Sequence, residues 1–566
     1  MFLAAMLTAS LAADQQRGNR PPLSSADIDA IAQLVMLEDT RTFDEPALVT
    51  LLRSRHPEVR RRAVVAVARI VNPRGFALLT HALIDPDPEV VATVAFAAGQ
   101  LKDAVAVPWL RELLTGANMT RTTIAREAAI ALGKIQIPES KAVLEEFLTA
   151  APATSPATAA LEPVVGEALL SIGRFPAGGD LEPIVKWVTS PSVDVRWRAT
   201  WALLRPRDPA SVPHLLKLAD DTSGEVRSWA VRGLAPILPP ALGRGRGAAA
   251  TPPPPPPPPV DPETAAQYSA RLRAALTDSD RRVRTEALRA LGGYDDDASF
   301  EAMLAALDSP DTWMSISAAE GLSRKAARAD VVVPKLVAAA AAGKPVGLRV
   351  AALLSLERLA PERAIEIANA LAGTKSAPAQ TSAAQVLQRL KQPAAGAPQA
   401  PPAPRPTAPV RTIADYRRIV ERWIVPDYNG APRPRAIWTF SRGEIEIELH
   451  PGDAPLGVEY FVSLVESGAI VGTEFGRLVP DFVAQQRTVT GAFTLRDEVS
   501  RLGLTRANLS WASAGLDTGR PGYTLGHTPQ PHNEGNFTAL GRVVRGMEVV
   551  DRLEFGDAVT ATRIRR

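Results

Sequence analysis

A chain of 566 residues is too long for one hydrophobic core and carries about three or four domains' worth of material, some of it spacer given 51 prolines. Lys and Arg number 64 against 61 Asp and Glu, a net charge of +3, which gives no reason to expect a nucleic-acid surface. The lack of cysteine excludes disulfides, thiolate metal sites, cysteine nucleophiles and a lipid-modified cysteine, and the six histidines (56, 81, 214, 450, 527 and 532) show no metal-ligand spacing, so neither metal nor cofactor is implied.

Residues 1–13, M-F-L-A-A-M-L-T-A-S-L-A-A, form an apolar run that ends in small residues and reads as a signal peptide cleaved after Ser10-Leu11-Ala12. That reading places the protein in the periplasm or outside the cell; the alternative, the first turn of a terminal helix, leaves it in the cytoplasm. The run is too short to cross a bilayer, and no other stretch reaches the ~18 apolar residues a transmembrane span requires.

From Ser25 to about residue 392 one helical pattern recurs: a valine, often followed by arginine, then Ala, Leu and Gly at helical spacing. H-P-E-V-R-R-R-A at 56, S-V-D-V-R-W-R-A at 192, S-G-E-V-R-S-W-A at 223 and D-R-R-V-R-T-E-A at 280 are clear copies. Val59 to Val90, Val164 to Val195, Val195 to Val226 and Val283 to Met314 are each 31 residues apart, the mark of stacked helical hairpins, roughly ten in all. Asp85-Pro86, Ser190-Pro191 and Ser309-Pro310 supply a turn before the second helix of a hairpin.

These features resemble the HEAT family, which implies an all-α solenoid that presents a curved surface to a protein partner. Trp197, Trp201 and Trp229 sit at repeat-helix positions and read as packing rather than a ligand cage. Arg60, Arg61 and Arg62 read as solvated or inter-repeat ion pairs rather than a phosphate site. The repeats cover residues 25–242 and 263–392. They are interrupted at 243–262 by Gly243-Arg244-Gly245-Arg246-Gly247 and the proline run Pro252 to Pro259, a spacer loop.

Residues 393–410, rich in Pro and Ala, read as a semi-rigid tether whose reach is at most ~55 Å. A helical pattern then begins at Thr412 within a connecting segment, 411–434, that is expected to dock onto the C-terminal unit. In residues 435–566, Ala436 to Leu449 alternates around Arg442-Gly443 as two paired strands, and Ala454 to Ser467 reads as an amphipathic helix ended by Gly468.

The most informative stretch is Gly472 to Arg487, G-T-E-F-G-R-L-V-P-D-F-V-A-Q-Q-R. It resembles the core of the cyclophilin-type peptidyl-prolyl isomerases, F-x-R-[VL]-[VI]-P-x-F-x-x-Q-G-G. The order of elements before it, Leu509 to Gly515, Pro529 to Phe537 and Leu540 to Asp551 extend the resemblance over about 125 residues, under a quarter of the chain. The implied fold class is multidomain: an all-α HEAT-like solenoid followed by a closed antiparallel β-barrel of cyclophilin type.

An X-Pro bond turns slowly because amide resonance sets a barrier of about 18–20 kcal/mol, and a guanidinium aimed at the prolyl nitrogen favours the pyramidal transition state. The resemblance gives that role to Arg477, the floor of the proline pocket to Phe482, and backbone binding or arginine orientation to Gln485. It places Val483, Ala512 and Ser513 along the groove, Thr524 where a phenylalanine usually closes the pocket, and His532 and Phe537 at aromatic or histidine positions on its rim.

Three departures stand out. Gln486-Arg487 replace the family's two glycines, Gly522 stands for a glutamine within Arg520 to Thr524, and Asn533 replaces an apolar rim residue. Loss of an aromatic contact lowers substrate binding by about 1–3 kcal/mol. The expected function is a peptidyl-prolyl cis-trans isomerase acting on proline-containing polypeptide clients as a folding helper. The alternative is a catalytically weak or inactive cyclophilin-like scaffold that binds peptides.

Overall fold

In the computed structural model the structure describes residues 20–116, 121–153, 156–236, 261–391, 408–513 and 515–565. The signal-like run, the Gly/Arg and polyproline insertion up to residue 260, and the Pro/Ala segment 392–407 lie outside these residues. Among the described residues no helix is long and apolar enough to cross a membrane.

The repeats build a continuous inner row of helices. We label them α1 (Ser25–Thr40), α2 (Pro57–Ile70), α3 (Pro88–Leu101), α4 (Thr122–Ile135), α5 (Pro156–Ile172), α6 (Val193–Leu204), α7 (Gly224–Gly233), α8 (Arg281–Leu291), α9 (Thr312–Leu322), α10 (Val346–Leu359) and α11 (Ala377–Lys391). Several start where a short polar side chain accepts a backbone N–H, as Asp87, Ser192, Asp280 and Asp311 do. Small residues let them approach. A Cβ on Gly133 would sit 2.5 Å from Ser171 Cβ, and one on Gly173 would sit 2.7 Å from the Trp201 ring. Trp197, Trp201 and Trp229 are buried, with Trp197 stacked on Trp229 at 6.2 Å.

The arginine that follows three of the repeat valines has one repeated job. Arg60 grips Asp85 (2.7 and 2.8 Å), Arg196 grips Asp221 (2.8 and 3.0 Å) and Arg227 grips Asp278 (2.7 and 2.7 Å), each carboxylate belonging to the next repeat's turn. The same side chains donate back to Ser54, Ser190 and Asp221 carbonyls. The first two pairs span 25 residues and the third spans 51, so the ladder continues across the longer interval. Arg61 and Arg62 pair within their own helix with Glu58.

The C-terminal unit is a single antiparallel sheet of eight strands: β1 (Arg435–Phe440), β2 (Gly443–Leu449), β3 (Phe475–Val479), β4 (Val483–Gln486), β5 (Asn508–Ala512), β6 (Arg520–Gly526), β7 (Ala539–Arg545) and β8 (Ala561–Arg565), in the order β3-β4-β6-β5-β7-β2-β1-β8. Helix α13 (Pro455–Glu466) covers it, and Trp438, Phe461, Trp511 and Tyr523 interlock beneath, with Tyr523 5.0 Å from Phe461 and 5.2 Å from Trp511. The sheet is a curled half-barrel, not the closed barrel expected from the sequence. Edge strands β3 and β8 do not pair. One bridge, Glu474 to Ala558, spans the gap, together with the backbone bonds Gly472 N–H to Val559 O, Phe475 N–H to Asp557 O, Gly556 N–H to Phe475 O and Val559 N–H to Thr473 O.

Helix α12 (Ile413–Ile419), continued by one π turn, docks on α1 as well as on the sheet unit. Arg411 and the Tyr416 hydroxyl bind Asp39 of α1, while the Trp423 indole donates to Glu459 of α13.

The inner row faces the sheet unit along its length. Arg41 binds Asp517, Arg501 bridges Glu89 and Glu127, Arg174 donates to Pro531 O, Arg281 donates to Asp551 O, and Trp313 stacks on His527 at 5.1 Å. Arg69 shows the energetics most clearly. Buried, it binds Glu38 of α1 (2.6 Å) and the carbonyls of Val499 (2.9 Å), Asp453 (2.5 Å) and Glu498 (3.3 Å). Arg69→Ala would leave a buried carboxylate and these carbonyls unpaired, so it is expected to cost about 3–5 kcal/mol in urea unfolding. Arg74→Ala, which breaks the exposed pair with Glu45, is expected to cost less than about 1 kcal/mol.

Candidate functional site

Strands β3 and β4 form a hairpin around Pro480-Asp481-Phe482, with Val479 opposite Val483, Leu478 opposite Ala484 and Arg477 opposite Gln485. Residues directly opposite in an antiparallel pair share a face. The register continues from Gln485 to Thr524 on β6 and from Thr524 to Ser510 on β5. Arg477, Gln485, Thr524 and Ser510 therefore form a row across the outer face, while Trp511 and Tyr523, also opposite each other, point into the core.

The row gathers the three residues on which the sequence reading centred. The exposed Arg477 guanidinium donates to Gln485 Oε1 at 3.1 Å and lies 6.0 Å from the centre of the Phe482 ring. Phe482, half-buried, stacks on His532 at 5.8 Å with the rings 19° apart. Thr524 is half-buried, its hydroxyl 2.6 Å from Ser510 Oγ, and Val483 is buried in the same strand as Gln485. Ala512 and Phe537 are half-buried. Ser513 is turned into its own loop, bonded to Gly515 and to Thr518 Oγ1 at 3.0 Å, and not toward the row.

The rewritten segments fit one another. A Cβ on Gly522 would meet Gln486 O at 3.0 Å and Thr488 N at 3.1 Å, so the backbone carrying Gln486-Arg487 occupies the space a glutamine at 522 would need. On the other side of that strand Arg487 packs over Gly476, where an added Cβ would lie 2.6 Å from its Cγ.

The hairpin turn holds the part that sequence reading missed. Asp481 is buried in left-handed backbone (φ 52°), a conformation Asp tolerates better than most residues. Its carboxylate accepts from Ser228 Oγ (2.9 Å) and Arg232 (3.3 Å), and Arg289 donates to Pro480 O (3.0 Å). Burial, with Glu286 adding to it, pushes the Asp481 carboxyl up to about 6 against the pull of Arg232 and Arg282. The only signal in the sequence was an acidic residue inside an otherwise apolar P-D-F turn.

Comparison with known proteins matches this unit to a family profile described as cyclophilin type peptidyl-prolyl cis-trans isomerase/CLD over residues 436–565, and HEAT repeats to residues 45–126, 160–235 and 269–345. Peptidyl-prolyl cis-trans isomerase B of Bacillus subtilis is 36% identical over 129 residues, covering 21% of this chain and 90% of that protein. The chain belongs to the cyclophilin family. The peptidyl-prolyl cis-trans isomerase of Helicobacter pylori strain 26695 is 33% identical over 129 residues, 21% of this chain and 79% of its own length. That of Synechococcus elongatus is 31% identical over 138 residues, 23% and 95%. A cyclophilin-type isomerase of Cryptosporidium parvum superposes with a TM-score of 0.22 at 19% identity, covering 24% of this chain and 98% of its own.

His532, stacked on Phe482, feels the array electrostatically. Burial first, then the cations of Arg205, Arg232 and Arg174, depress its imidazole to about 4 from the ordinary 6.5. Above pH 6.5 both folded and unfolded chains hold it neutral. As pH falls from 6.5 toward 4 the unfolded chain gains a proton that the folded chain refuses, so stability is lost across that window. Comparing wild type with His532→Phe by urea unfolding at pH 7 and pH 5 is expected to show the variant gaining about 2 kcal/mol relative to wild type at the lower pH.

Proposed function

We propose that the protein is a peptidyl-prolyl cis-trans isomerase whose array is part of the same folded body as the catalytic domain. The observation that carries this reading is the Arg477 guanidinium held by Gln485 at 3.1 Å beside the Phe482 ring at 6.0 Å. The names of the relatives support it. A client proline resting on Phe482 puts its nitrogen within reach of a cation that is fixed before binding. Donation to that nitrogen withdraws its lone pair from amide resonance and lowers part of the ~18–20 kcal/mol barrier. Gln485 bonds the client backbone or holds the arginine; Val483, Ala512, Ser513, Thr524, His532 and Phe537 are assigned to the groove, Ser513 by its loop rather than its hydroxyl. Proline-containing polypeptides are the clients. A further protein partner of the array would use surfaces outside the inner row, which is engaged.

A second reading, a peptide-binding scaffold with weak or no activity, is favoured by Thr524 and Gly522 standing where the family has an aromatic and a glutamine. The full-length protein and Arg477→Ala, assayed on an Ala-Pro peptide by exchange NMR, separate the two. The isomerase reading expects a loss of about 100-fold in kcat/KM. Equal rates leave only the scaffold. If pocket closure limits activity, Thr524→Phe is expected to raise kcat/KM by about tenfold, as an added buried aromatic contact would.

We also propose that residues 1–13 direct export to the periplasm or beyond, a reading supported by their apolar run and small-residue end, with the cytoplasm as the alternative. Sequencing of the mature N-terminus is expected to start near Ala13 or Asp14. A chain still beginning at Met1 would refute export by this route.

A further inference from the structure

Besides Phe482, His532 borders a cleft of about 220 Å³ between the array and the cyclophilin domain. Four cationic side chains of the array line it, Lys102, Lys134, Arg174 and Arg205, against one acid, Glu534 of the rim loop. Four against one is an imbalance in a chain whose charges otherwise nearly cancel.

The individual partners make the imbalance sharper. Lys134 is only 9% exposed, yet its ammonium reaches nothing more than the Gln100 amide oxygen at 3.4 Å and the Phe96 ring at 5.3 Å. Among the described residues no carboxylate lies within ion-pair distance of it. Burial and the neighbouring Arg174 bring its pKa down to about 8 against the more distant pull of Glu127, Glu534 and Glu167. Arg174 is already committed to Pro531 O at 2.5 Å and stands 3.9 Å from Glu534. Burial, with Glu167 adding to it, raises Glu534 to about 7, which weakens the one acid that lines the cleft. Arg205 is exposed at the mouth and carries no ion pair among the described residues. A buried ammonium without a carboxylate is costly unless an anion joins it, and the cleft has room for one, since a liquid water takes up only about 30 Å³.

We propose that this cleft is a subsite for an anionic side chain of the client, a carboxylate or a phosphoryl group near the proline seated on Phe482. The proposal rests on the reading of that seat as the proline pocket. His532 separates seat and cleft by one ring, and an extended chain advances about 3.3–3.6 Å per residue, so the anion falls roughly two to four residues from the proline. The array would then select among proline-containing clients by charge. Arg205 admits the anion, Lys134 and Arg174 neutralise it, and the cyclophilin groove holds the adjoining backbone.

The test uses the full-length protein and fluorescein-labelled proline peptides that differ at one position two to four residues from the proline, carrying Gln, Glu, Lys or phosphoserine. Anisotropy at low salt is expected to show Glu binding about tenfold more tightly than Lys at one position, the gap narrowing at about 300 mM salt. Phosphoserine binding more tightly than Glu identifies a phosphoryl client; equal or weaker binding identifies a carboxylate client. Arg205→Glu is expected to bring the Glu-to-Lys ratio to near one, and Arg205→Lys to preserve it; because Arg205 is exposed, neither change threatens folding. Equal affinities for Glu and Lys at every position, or an unchanged ratio in Arg205→Glu, overturns the subsite. Isomerisation of the Gln peptide is followed separately. Its failure with the charge preference intact refutes the isomerase reading alone, and the reverse result refutes the subsite alone.

Discussion

A carboxylate buried at a left-handed backbone position joins the array to the hairpin that carries the site. Asp481 is buried, and Ser228 and Arg232 both bond its Oδ2 while Oδ1 has no hydrogen bond among the described residues; Arg289 holds the preceding carbonyl. The next residue is Phe482, the proposed floor of the proline pocket. Its ring orientation is therefore set from two sides, by the β3-β4 register within the cyclophilin domain and by helices α7 and α8 of the array. In an isolated cyclophilin unit this turn would be free to relax in solvent. Here its geometry is a property of the whole chain, and a shift of α7 against α8 would be felt at Phe482 through Arg232, which also binds Glu286.

That dependence makes the regularity of the solenoid matter for the site. The ladder of Arg60–Asp85, Arg196–Asp221 and Arg227–Asp278 fixes each repeat on the next through two-pronged bonds to carboxylates that also receive backbone N–H groups at the following helix start. Exposed ion pairs contribute little one at a time. These are half-shielded and planar, and they repeat, so the spacing between inner helices is held closely enough for residues on α2, α4, α7 and α9 to meet separate parts of one folded domain. The insertion after residue 236 respects this constraint, since α7 and α8 are joined by the same bond as their uninterrupted neighbours.

Much of this was legible in the sequence. The 31-residue period, the D-P turns and the valine–arginine pairs announce stacked hairpins because each has a local physical cause. The trio Arg477, Phe482 and Gln485 was legible as a motif, and the structure brings the three together. What could not be read was how the two halves meet. Arg69, Arg174 and Arg281 look like ordinary polar positions of a repeat, and only tertiary structure reveals that their acceptors are backbone carbonyls hundreds of residues away. Carbonyls leave no mark in a sequence. The open sheet was hidden for a similar reason, because closure depends on whether Glu474 and Ala558 extend into a ladder, which no side-chain pattern encodes. Helix α12 was expected to dock forward onto the sheet unit, yet Asp39 and Asp29 of α1 draw it back to the start of the array as well.

The departures from the family pattern have a shared steric logic. Where the family has two glycines and then, on a neighbouring strand, a glutamine, this chain has Gln486-Arg487 and Gly522. A glycine pair lets backbone retreat and leaves volume for the glutamine side chain. Here Gln486 and Arg487 stand in place of that pair, and Gly522 faces their strand closely, with Gln486 O and Thr488 N lying where a side chain would begin. The two substitutions are thus one change made on facing strands, and it removes a polar group from one end of the groove. At the other end, past His532, the array adds Lys134, Arg174 and Arg205. On the proposed reading the polar character of the groove lies with the solenoid rather than the sheet, and recognition of anything beyond the proline itself falls to residues that an isolated cyclophilin domain would lack.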